Sequence, residues 1–439
     1  MYEPEIPLYF PILYLAVHKL QPRKEINLKE LRRKVAGLDV HRDTVVAAIR
    51  LHVSDSDIEV KKATFKTTAK GLSELSQFLL EYEVTTVAME ATGVYWKPVY
   101  YALEGLVKEL WLCNAQHVKN VPGRKTDLND AEWLADVVAH GMIKPSFVPP
   151  EEIRELRELT RYRKTQVDAR VKEIQRLEKV LQDACIKITS VASGVWSMSS
   201  REIIEAMIDG QRDPKVLAQL AKSRLRGRIP ELEEALSGFF KDRHAFMCKE
   251  IITHIDQLDE SIVRLTKEIT KAIVPFKNAV ALVVSIPGVS RTTAETIIAE
   301  TGGDMKQFPT PGQFSAWAGL APASYESAGK RKPVGLRKGA PYLKRAMVES
   351  ARAAARTKGT YYNAQYSRIT KRRGPNKAAV AVAHSMIVAI WHLFSTGALY
   401  EDPGPNYFND LFDSAKQVKR LTARIKELGY EVQIKELSA

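Results

Sequence analysis

Short apolar runs of strand length and longer amphipathic periods alternate along the chain from residue 35 to about residue 149. Runs rich in aliphatic residues predict β-strands at 35–40, 44–51, 58–66, 84–90 and 109–113. Apolar positions three and four residues apart predict helices at 69–82, 97–106 and 127–140. The first three strands follow one another directly, whereas the later strands alternate with helices. This order predicts an α/β domain.

The predicted domain occupies residues 35–150, and its element order is that of an RNase H-like (RuvC-like) fold. Prolines at 145, 149 and 150 mark its end. Residues 1–34 form an extension to which we assign no function. Its apolar run IPLYFPILYLAV has twelve residues, too few to span a bilayer, and follows Glu3 and Glu5 rather than positive charge. We therefore expect neither a signal peptide nor a membrane partner.

Two amphipathic stripes of coiled-coil type predict long helices in residues 151–278. Their apolar positions are Val167, Val171, Ile174, Leu177, Leu181, Cys185 and Ile188, and then Ile251, Ile255, Leu258, Ile262, Leu265, Ile269 and Ile273. The stripes could pair as an antiparallel hairpin or with another subunit, and the sequence leaves this open. Between them, residues 190–238 predict an irregular segment with short helices at 201–209 and 215–220.

The segment SIPGVSRTTAETIIAETGG opens a mostly helical region, residues 279–400. A Pro287–Gly288 turn between an apolar lead-in and a helix starting near Thr292 is typical of a helix-hairpin-helix element, whose turn amides and helix start can hold a DNA phosphate. The alternative is a simple helix connector. An apolar helix is expected from about Lys377 to Ser395, and a helical tail over 401–439.

Positive charge is concentrated in one part of the chain. The 439 residues carry a net charge of +14 with an otherwise ordinary 45% hydrophobic and 27% charged composition. Between Gly319 and Arg373 there are fourteen Lys and Arg against two acids, a net of +12. A local basic field of this kind suits a polyphosphate partner, whereas solubility alone would be served by mixed signs.

Cysteine usage excludes two classes of scaffold. Cys113, Cys185 and Cys248 are far apart and form no CxxC pair. This argues against a zinc site and a disulfide framework and is typical of a reducing compartment. We therefore expect a cytoplasmic protein.

Four carboxylates occupy strand ends and a helix start: Asp39, Glu90, Asp127 and Asp130. Asp127 and Asp130 are spaced i, i+3 and so face one side of a first helical turn. Acids in such places can converge on Mg²⁺, which prefers oxygen ligands and keeps phosphate and water in its shell. Two such ions about 4 Å apart can activate a nucleophile and stabilise a leaving oxygen in phosphodiester chemistry.

Each acid also has a structural interpretation. Asp39 could be a turn residue, although burial between strand-like flanks would be costly without a partner. Asp127 and Asp130 could complement a helix dipole. Taken singly, each acid is more often structural, but the four together, in this element order, favour a metal site.

A small-residue loop, APASYESAGKRK, carries a second group of reactive side chains. Ser324, Tyr325 and Ser327 lie beside a run of cations, Lys330 to Lys332. A hydroxyl that attacks a phosphodiester needs charge neutralisation around the phosphate and a base for its proton. A serine in such a loop is far more often a turn residue, and residue chemistry alone does not choose among the three hydroxyls.

The motifs GLDVH, MEATGVYW, KTDLNDA, SIPGVS, AWAGLAPASYESAGKRK and KGAPYLKRA together resemble the DEDD-type insertion-sequence transposases, in order, from about Val35 to Gly397. The resemblance implies a RuvC-like domain whose acids, here Asp39, Glu90, Asp127 and Asp130, bind Mg²⁺, and a transposase domain whose nucleophile is Ser327. It further implies a guide non-coding RNA that pairs with donor and target DNA. Dimers would join into tetramers, with a RuvC-like domain facing a neighbouring subunit's transposase domain.

Residues expected to contact DNA or guide RNA are Lys125, Gly288, Lys330, Arg331, Lys332, Arg337, Lys338, Lys344 and Arg345. Tyr361, Tyr362 and Tyr366 could stack on bases or equally be packed core aromatics. His41 and His384 belong to no partner pattern, and we interpret them as incidental. The chain departs from the family's Lys-x-Gly-Asn-x-x-Leu-Arg pattern at KGAPYLKR, where a proline alters the spacing.

The leading hypothesis is therefore an RNA-guided, Mg²⁺-dependent DNA recombinase acting at the prokaryotic nucleoid. A first rival is a metal-only junction resolvase or nuclease, in which Ser327→Ala would leave strand cleavage intact. A second is a non-catalytic DNA-binding protein, in which Asp39→Ala and Asp130→Ala would leave cellular activity intact.

Overall fold

The structure, a computed structural model, describes residues 32–54, 57–91, 93–119, 121, 130–323, 326–327, 330–331, 335–410 and 414–434. The chain forms two compact units, one ending at Val148 and one starting at Pro149. Several of the residues singled out above lie outside the described residues: Lys125, Asp127, Ser324, Tyr325 and Lys332. Most of the N-terminal extension also lies outside them.

The first unit contains a five-stranded mixed sheet with the order β3-β2-β1-β4-β5. The strands are β1 (Lys34–Val40), β2 (Thr44–Ser54), β3 (Asp57–Lys66), β4 (Thr86–Glu90) and β5 (Glu109–Cys113). The first three run antiparallel, and β1, β4 and β5 run parallel. This arrangement confirms the predicted RNase H-like fold, and all the predicted strands are present to within a few residues.

Helices cover both faces of this sheet. They are α1 (Ala69–Glu81), α2 (Trp96–Leu103), α3 (Ala115–Lys119) and α4 (Asp130–Ala139). Alternate residues of β1 enter different cores: Leu38 packs with Leu75 of α1 and Leu103 of α2, whereas Val35 packs with Val138 of α4. The period-2 alternation of the strand thus assigns Gly37 and Asp39 to the α4 side.

The second unit is helical. Its elements are α5 (Glu151–Asp183), α6 (Met198–Ile208), α7 (Pro214–Ala218), α8 (Ile229–Leu236), α9 (Asp242–Ala272), α10 (Lys277–Val284), α11 (Arg291–Thr301), α12 (Pro311–Trp317), a hairpin of β6 (Glu326–Ser327) and β7 (Lys330–Arg331), α13 (Pro341–Ala354), α14 (Tyr361–Arg373), α15 (Pro375–Thr396), α16 (Tyr407–Asp410) and α17 (Ser414–Glu427).

The two amphipathic stripes pair within the chain. Near one end of the pair, Leu181 of α5 shares a core with Cys248 and Ile251 of α9. Near the other end, Ile153 shares a core with Ile269. Helices α5 and α9 are therefore antiparallel, and the intrachain alternative is the one that this structure adopts.

The segment between these helices is more ordered than the sequence indicated. Helices α6, α7 and α8 contribute Ile203, Leu217 and Leu232 to one core with the ends of α5 and α9. The prediction of an irregular segment missed α8, which is only eight residues long and begins with a proline at its first turn. A helix of this length depends on tertiary packing for its stability.

Helix α15 is long and apolar enough to cross a bilayer by composition alone. In this structure it lies within the core of the second unit, where Val382, Met386 and Ile390 are fully buried. Helices α11, α12 and α13 contribute to the same core. The apolar character of α15 is thus explained by packing.

Candidate functional site

Three of the four predicted acids line one cavity. Asp39 lies near the end of β1, Glu90 ends β4 and Asp130 begins α4. The cavity has a volume of about 30 Å³ and is also lined by Leu38, Val118, Trp133 and Leu134. In the parallel pairing of β1 with β4, Leu38 is level with Met89, so the two strand acids come next at the same sheet edge. The fourth acid, Asp127, lies outside the described residues.

Gly37 determines how closely α4 approaches this edge. A Cβ atom at this position would lie 2.1 Å from the carbonyl oxygen of Ala131 and 2.6 Å from the amide nitrogen of Ala135. Both alanines are buried. The helix backbone therefore sits directly on the strand, which only glycine permits. This contact brings Asp130 beside the strand acids and explains the glycine that precedes Leu38-Asp39.

Two ion pairs join α4 to the antiparallel strands. The Nε atom of Arg50, on β2, lies 3.3 Å from Oδ1 of Asp136, and Arg50 is itself buried. Lys62, on β3, pairs with the mostly buried carboxylate of Glu132. These contacts fix the rotation of α4 about its axis, and sequence reasoning did not identify them.

His41, interpreted in the sequence as incidental, contacts the predicted site. Its Nε2 atom lies 3.2 Å from Oδ2 of Asp39, whose side chain is 25% exposed. Only Val40, the last residue of β1, separates the two residues. This i, i+2 spacing could have indicated the contact between them. His41 is therefore a neighbour of the acid cavity.

Cys113 pairs with Glu90 in the β4–β5 register. Burial, and secondarily the charge of Glu90, raise the pKa of the Cys113 thiol to about 12. The thiol is therefore neutral near pH 7, and the carboxylates carry the chemistry at this edge of the sheet.

Ser327 lies on a short β-hairpin. Its backbone pairs with Lys330, and Glu326 pairs with Arg331. On either side of the hairpin, Pro322 and Leu336 form an antiparallel β-bridge. The amide of Ala323 donates a hydrogen bond to the carbonyl of Gly335 at 3.1 Å.

The base of this hairpin is held by two facing glycines. A Cβ atom on Gly339 would lie 2.3 Å from the amide nitrogen of Gly319 and 2.5 Å from the carbonyl oxygen of Trp317. The Ala340 amide donates to that same carbonyl at 3.2 Å. The base of the hairpin is therefore closely packed at the end of α12.

Two models of known protein families match this chain. A DEDD transposase model of the IS110 type matches residues 36–186, and the model of the IS116/IS110/IS902 transposase family matches residues 280–367. The chain belongs to this family of insertion-sequence transposases. The two matches contain, respectively, the acid cavity and the hairpin with Ser327.

Individual relatives of this transposase have low sequence identity to it, but they match most of its length and most of their own. The transposase for insertion sequence element IS1111A of Coxiella burnetii is 27% identical over 78% of this chain and 83% of its own. A probable family 20 transposase of Pseudomonas aeruginosa is 24% identical over 76% and 90%. The Thermus thermophilus RuvC structure matches 26% of this chain and 99% of its own, at 14% identity and a TM-score of 0.20, which is too low to bear on the fold.

The donors at the cavity fit a hard divalent cation, which nucleases of this fold class generally use. Every polar group contributed by Asp39, Glu90 and Asp130 is a carboxylate oxygen, the ligand type that Mg²⁺ prefers. Among the described residues, no three acids, histidines or cysteines already stand at ligand spacing. Trp133 lines the same cavity, and its indole Nε1 is buried without a hydrogen-bond partner among the described residues.

The predicted nucleic-acid contacts differ in how far their side chains are free to bind phosphate. Lys330, Arg337 and Lys338 are exposed on or beside the hairpin. Arg345 is already engaged within the protein: its guanidinium donates to both carboxylate oxygens of Asp168 at 2.7 and 2.8 Å, and to Glu349 at 3.1 Å. It thereby joins α13 to α5. Lys344 is half-buried, and Arg331 is described for its backbone alone.

Gly288 has a structural role in the turn between α10 and α11. Its φ is +85°, and a Cβ atom there would lie 2.3 Å from the amide nitrogen of Ala354 in α13. Ser290 then caps α11 by accepting a hydrogen bond from the amide of Thr293 at 3.2 Å. The turn joins two helices, α10 and α11, and close packing against α13 accounts for its glycine. The predicted helix-hairpin-helix contact with DNA stays a prediction.

For the tyrosines, the structure favours the packing interpretation. Tyr362 is 1% exposed and its ring stacks on Tyr400 at 5.5 Å. Tyr361 stacks on Phe408 at 5.0 Å, and burial raises the pKa of Tyr361 to about 12. Tyr366 packs against the same core.

Proposed function

We propose that this transposase is an RNA-guided DNA recombinase that moves its own insertion sequence by Mg²⁺-dependent, serine-mediated strand exchange. The observation that carries the proposal is the convergence of Asp39, Glu90 and Asp130 on one cavity in a chain of this family. The setting would be the prokaryotic cytoplasm, on nucleoid DNA.

In this proposal the acids hold Mg²⁺ at the scissile phosphate, with Asp127 as the fourth ligand. Bound there, Mg²⁺ would supply charge neutralisation for the phosphate oxygens. The carboxylates fix its place through α4, which Gly37 seats against β1, and through the sheet edge where Asp39 and Glu90 lie level.

Ser327 is the proposed nucleophile. Its Oγ forms a bond to phosphorus, its proton passes to a carboxylate of the acid cavity, and the bond from phosphorus to the leaving deoxyribose oxygen breaks. That oxygen takes up a proton and becomes a free hydroxyl end. Attack by a hydroxyl of the second strand on the phosphoserine then restores the serine and joins the exchanged DNA. Supporting this role are the hairpin that presents Ser327 and the exposed Lys330 paired with it.

Double-stranded element ends, target DNA and the guide RNA are the proposed partners. Exposed Lys330, Arg337 and Lys338 would neutralise their phosphates. The assembly proposed from the family resemblance is a dimer that joins into a tetramer, in which the acids of one subunit act with the serine of another.

The decisive test is strand cleavage in Mg²⁺ by purified Ser327→Ala, Asp39→Asn and Asp130→Asn proteins. We expect each to lose cleavage by at least about 10³-fold, since serine and acids act as one unit. Ser395→Ala and Asp57→Asn, which change an exposed serine and an exposed acid elsewhere, are matched controls and should retain activity. Cleavage that persists in Ser327→Ala and disappears in Asp39→Asn would establish the metal-only nuclease instead.

RNA guidance has its own test. The protein purified from cells carrying the complete element should retain a discrete RNA transcribed from DNA beside the reading frame, with segments complementary to the element ends and target. Changing the target-complementary segment should redirect insertion to the new matching sequence. Insertion that ignores such changes contradicts guidance while leaving the serine and metal chemistry in place.

A further inference from the structure

Trp133 lines the acid cavity and carries a hydrogen-bond donor without a partner among the described residues. Its side chain is 6% exposed and lines the cavity together with Asp39, Glu90 and Asp130. Its Nε1 atom is buried and has no hydrogen-bond partner among the described residues. Trp133 follows Asp130 by three positions on α4, so the two residues lie on one face of the helix.

A buried N–H group without an acceptor is rare and unfavourable, and such groups in proteins commonly mark the place of a water or ligand. The void that the Trp133 side chain borders is the acid cavity, whose volume of about 30 Å³ is sufficient for one or two water-sized groups. The indole is only a donor, so the group it would bind must present an oxygen lone pair.

We propose that Trp133 is a positioning residue of this site: its Nε1–H donates a hydrogen bond to the oxygen that enters the cavity with the cation. This inference rests on the proposed Mg²⁺ site and extends it. The oxygen belongs either to water in the shell of the cation or to the phosphate of bound DNA. The indole orients that oxygen without adding charge and without competing with the acids for the cation.

Trp133→Phe tests the inference because phenylalanine keeps an aromatic ring and removes the donor. The matched control is Trp111→Phe: Trp111 packs against the same small core but does not line the cavity. Cation affinity is measured by calorimetry with Mg²⁺ on the full-length protein. We expect Trp133→Phe to bind Mg²⁺ about 3- to 10-fold more weakly, the factor that one net hydrogen bond represents, and Trp111→Phe to bind it normally.

A second measurement follows the donor directly in the unaltered protein. With ¹⁵N-labelled indoles, the six tryptophans give separate Nε1–H resonances, and Trp133→Phe identifies the one that belongs to Trp133. We expect this resonance to move downfield when the acceptor arrives. Movement with Mg²⁺ alone identifies water as the acceptor. Movement only when a short DNA duplex is added to Mg²⁺-loaded Ser327→Ala protein identifies the phosphate.

Thermal unfolding in EDTA separates positioning from packing. In EDTA, Trp133→Phe lacks buried ring volume as well as the unsatisfied donor, so its stability without cation serves as its own reference. It should then gain less stability than the unaltered protein on adding Mg²⁺. Equal destabilisation with and without cation would overturn the inference in favour of a packing role.

The outcomes also distinguish this inference from the function on which it rests. If the unaltered protein binds Mg²⁺, Asp39→Asn does not, and the Trp133 resonance stays fixed with both Mg²⁺ and DNA, only the role of Trp133 is refuted. If the unaltered protein binds no Mg²⁺ with or without DNA, the proposed metal site is refuted and the Trp133 inference with it.

Discussion

Single residues determine the geometry of the acid cavity. Asp39 and Glu90 are brought level by strand pairing, but Asp130 reaches them only because Gly37 has no side chain between β1 and α4. The position of one glycine thus controls whether a helix carboxylate can act with the two strand carboxylates.

Gly37→Ala should therefore affect stability and activity together. The added methyl group would meet helix backbone, which cannot rotate away, so we expect a loss of about 1–3 kcal/mol in unfolding free energy. Displacement of Asp130 by about 1 Å should lower Mg²⁺-dependent cleavage by about 10²-fold. Urea unfolding and a cleavage assay measure the two effects.

Gly194→Ala is the control, since a Cβ atom there meets nothing within 4 Å. Full cleavage activity in folded Gly37→Ala protein would contradict the proposed dependence of the site on this contact.

The cysteines differ in reactivity for a reason visible at the residue scale. Burial raises the pKa of the Cys113 and Cys248 thiols to about 12, whereas Cys185 is exposed. Because the thiolate is the reactive form, iodoacetamide at pH 8 should modify Cys185 and spare the other two. Peptide mass spectrometry checks this, with urea-unfolded protein, in which all three react, as the reference.

The same shifts predict a pH dependence of stability. A thiol whose pKa is higher in the folded state keeps its contribution fully below its unfolded pKa of 9.0 and loses it as pH rises toward about 12. The free energy of unfolding should therefore fall as pH rises above 9. In Cys113→Ala, this decrease with pH should be less steep. An unchanged slope would show that Cys113 is not shielded from solvent.

At the scale of elements, α5 is the axis of the second unit. It packs on α9 near both of its ends, and its first half is joined to α11 by two ion pairs whose glutamate side chains are buried. Arg163 lies 2.9 Å from Glu295, and both are buried. Arg161 donates to both carboxylate oxygens of Glu300 at 2.7 Å. Charges at these positions orient α11 relative to α5 more specifically than apolar packing would.

Glu295→Ala should be strongly destabilising because it leaves the Arg163 guanidinium buried and uncompensated. We expect a loss of about 3–5 kcal/mol in unfolding free energy, measured by urea denaturation. Glu260→Ala is the matched control: its partner Arg264 is 3.6 Å away and both side chains are mostly exposed, so we expect about 0–1 kcal/mol. Similar effects for the two variants would show that the Arg163–Glu295 pair is solvated.

At the scale of the whole molecule, positive charge is concentrated in one part of the chain. Most of the excess of +14 lies in the stretch that contains the hairpin and α13 and α14. Within it, Lys330, Arg337 and Lys338 are exposed, whereas Arg345 is neutralised by Asp168. The basic stretch therefore divides into residues available for phosphates and residues used internally.

Replacing Lys330, Arg337 and Lys338 with glutamine should flatten the salt dependence of DNA binding. Each lost phosphate contact removes about 0.9 from the slope of log K against log salt, so we expect a change of about 2.7. Fluorescence anisotropy over a salt series measures the slope. Replacing the exposed Arg264, Lys267 and Lys271 of α9 should leave it unchanged, and equal effects for both sets would mean that net charge alone governs binding.

Much of the fold was predictable because its signals are local. Strand alternation and short apolar runs located β1 to β5, and the two heptad-like stripes located α5 and α9. Helix α8 lies in a segment that was predicted to be irregular, and it was missed. The sequence did not predict that the two coiled-coil stripes pair with each other. An apolar stripe indicates that a helix face is buried, but not whether the covering helix belongs to the same chain.

The sequence by itself determined which residues have the chemistry: carboxylates at strand ends, a serine beside cations and a glycine before Leu38-Asp39. Tertiary structure decided which of them meet. The contact of His41 with Asp39, the neutralisation of Arg345 by Asp168 and the unsatisfied indole of Trp133 each depend on distances between segments that are separately folded. Side-chain chemistry is a property of the residue, whereas burial and proximity arise only when helices and strands pack.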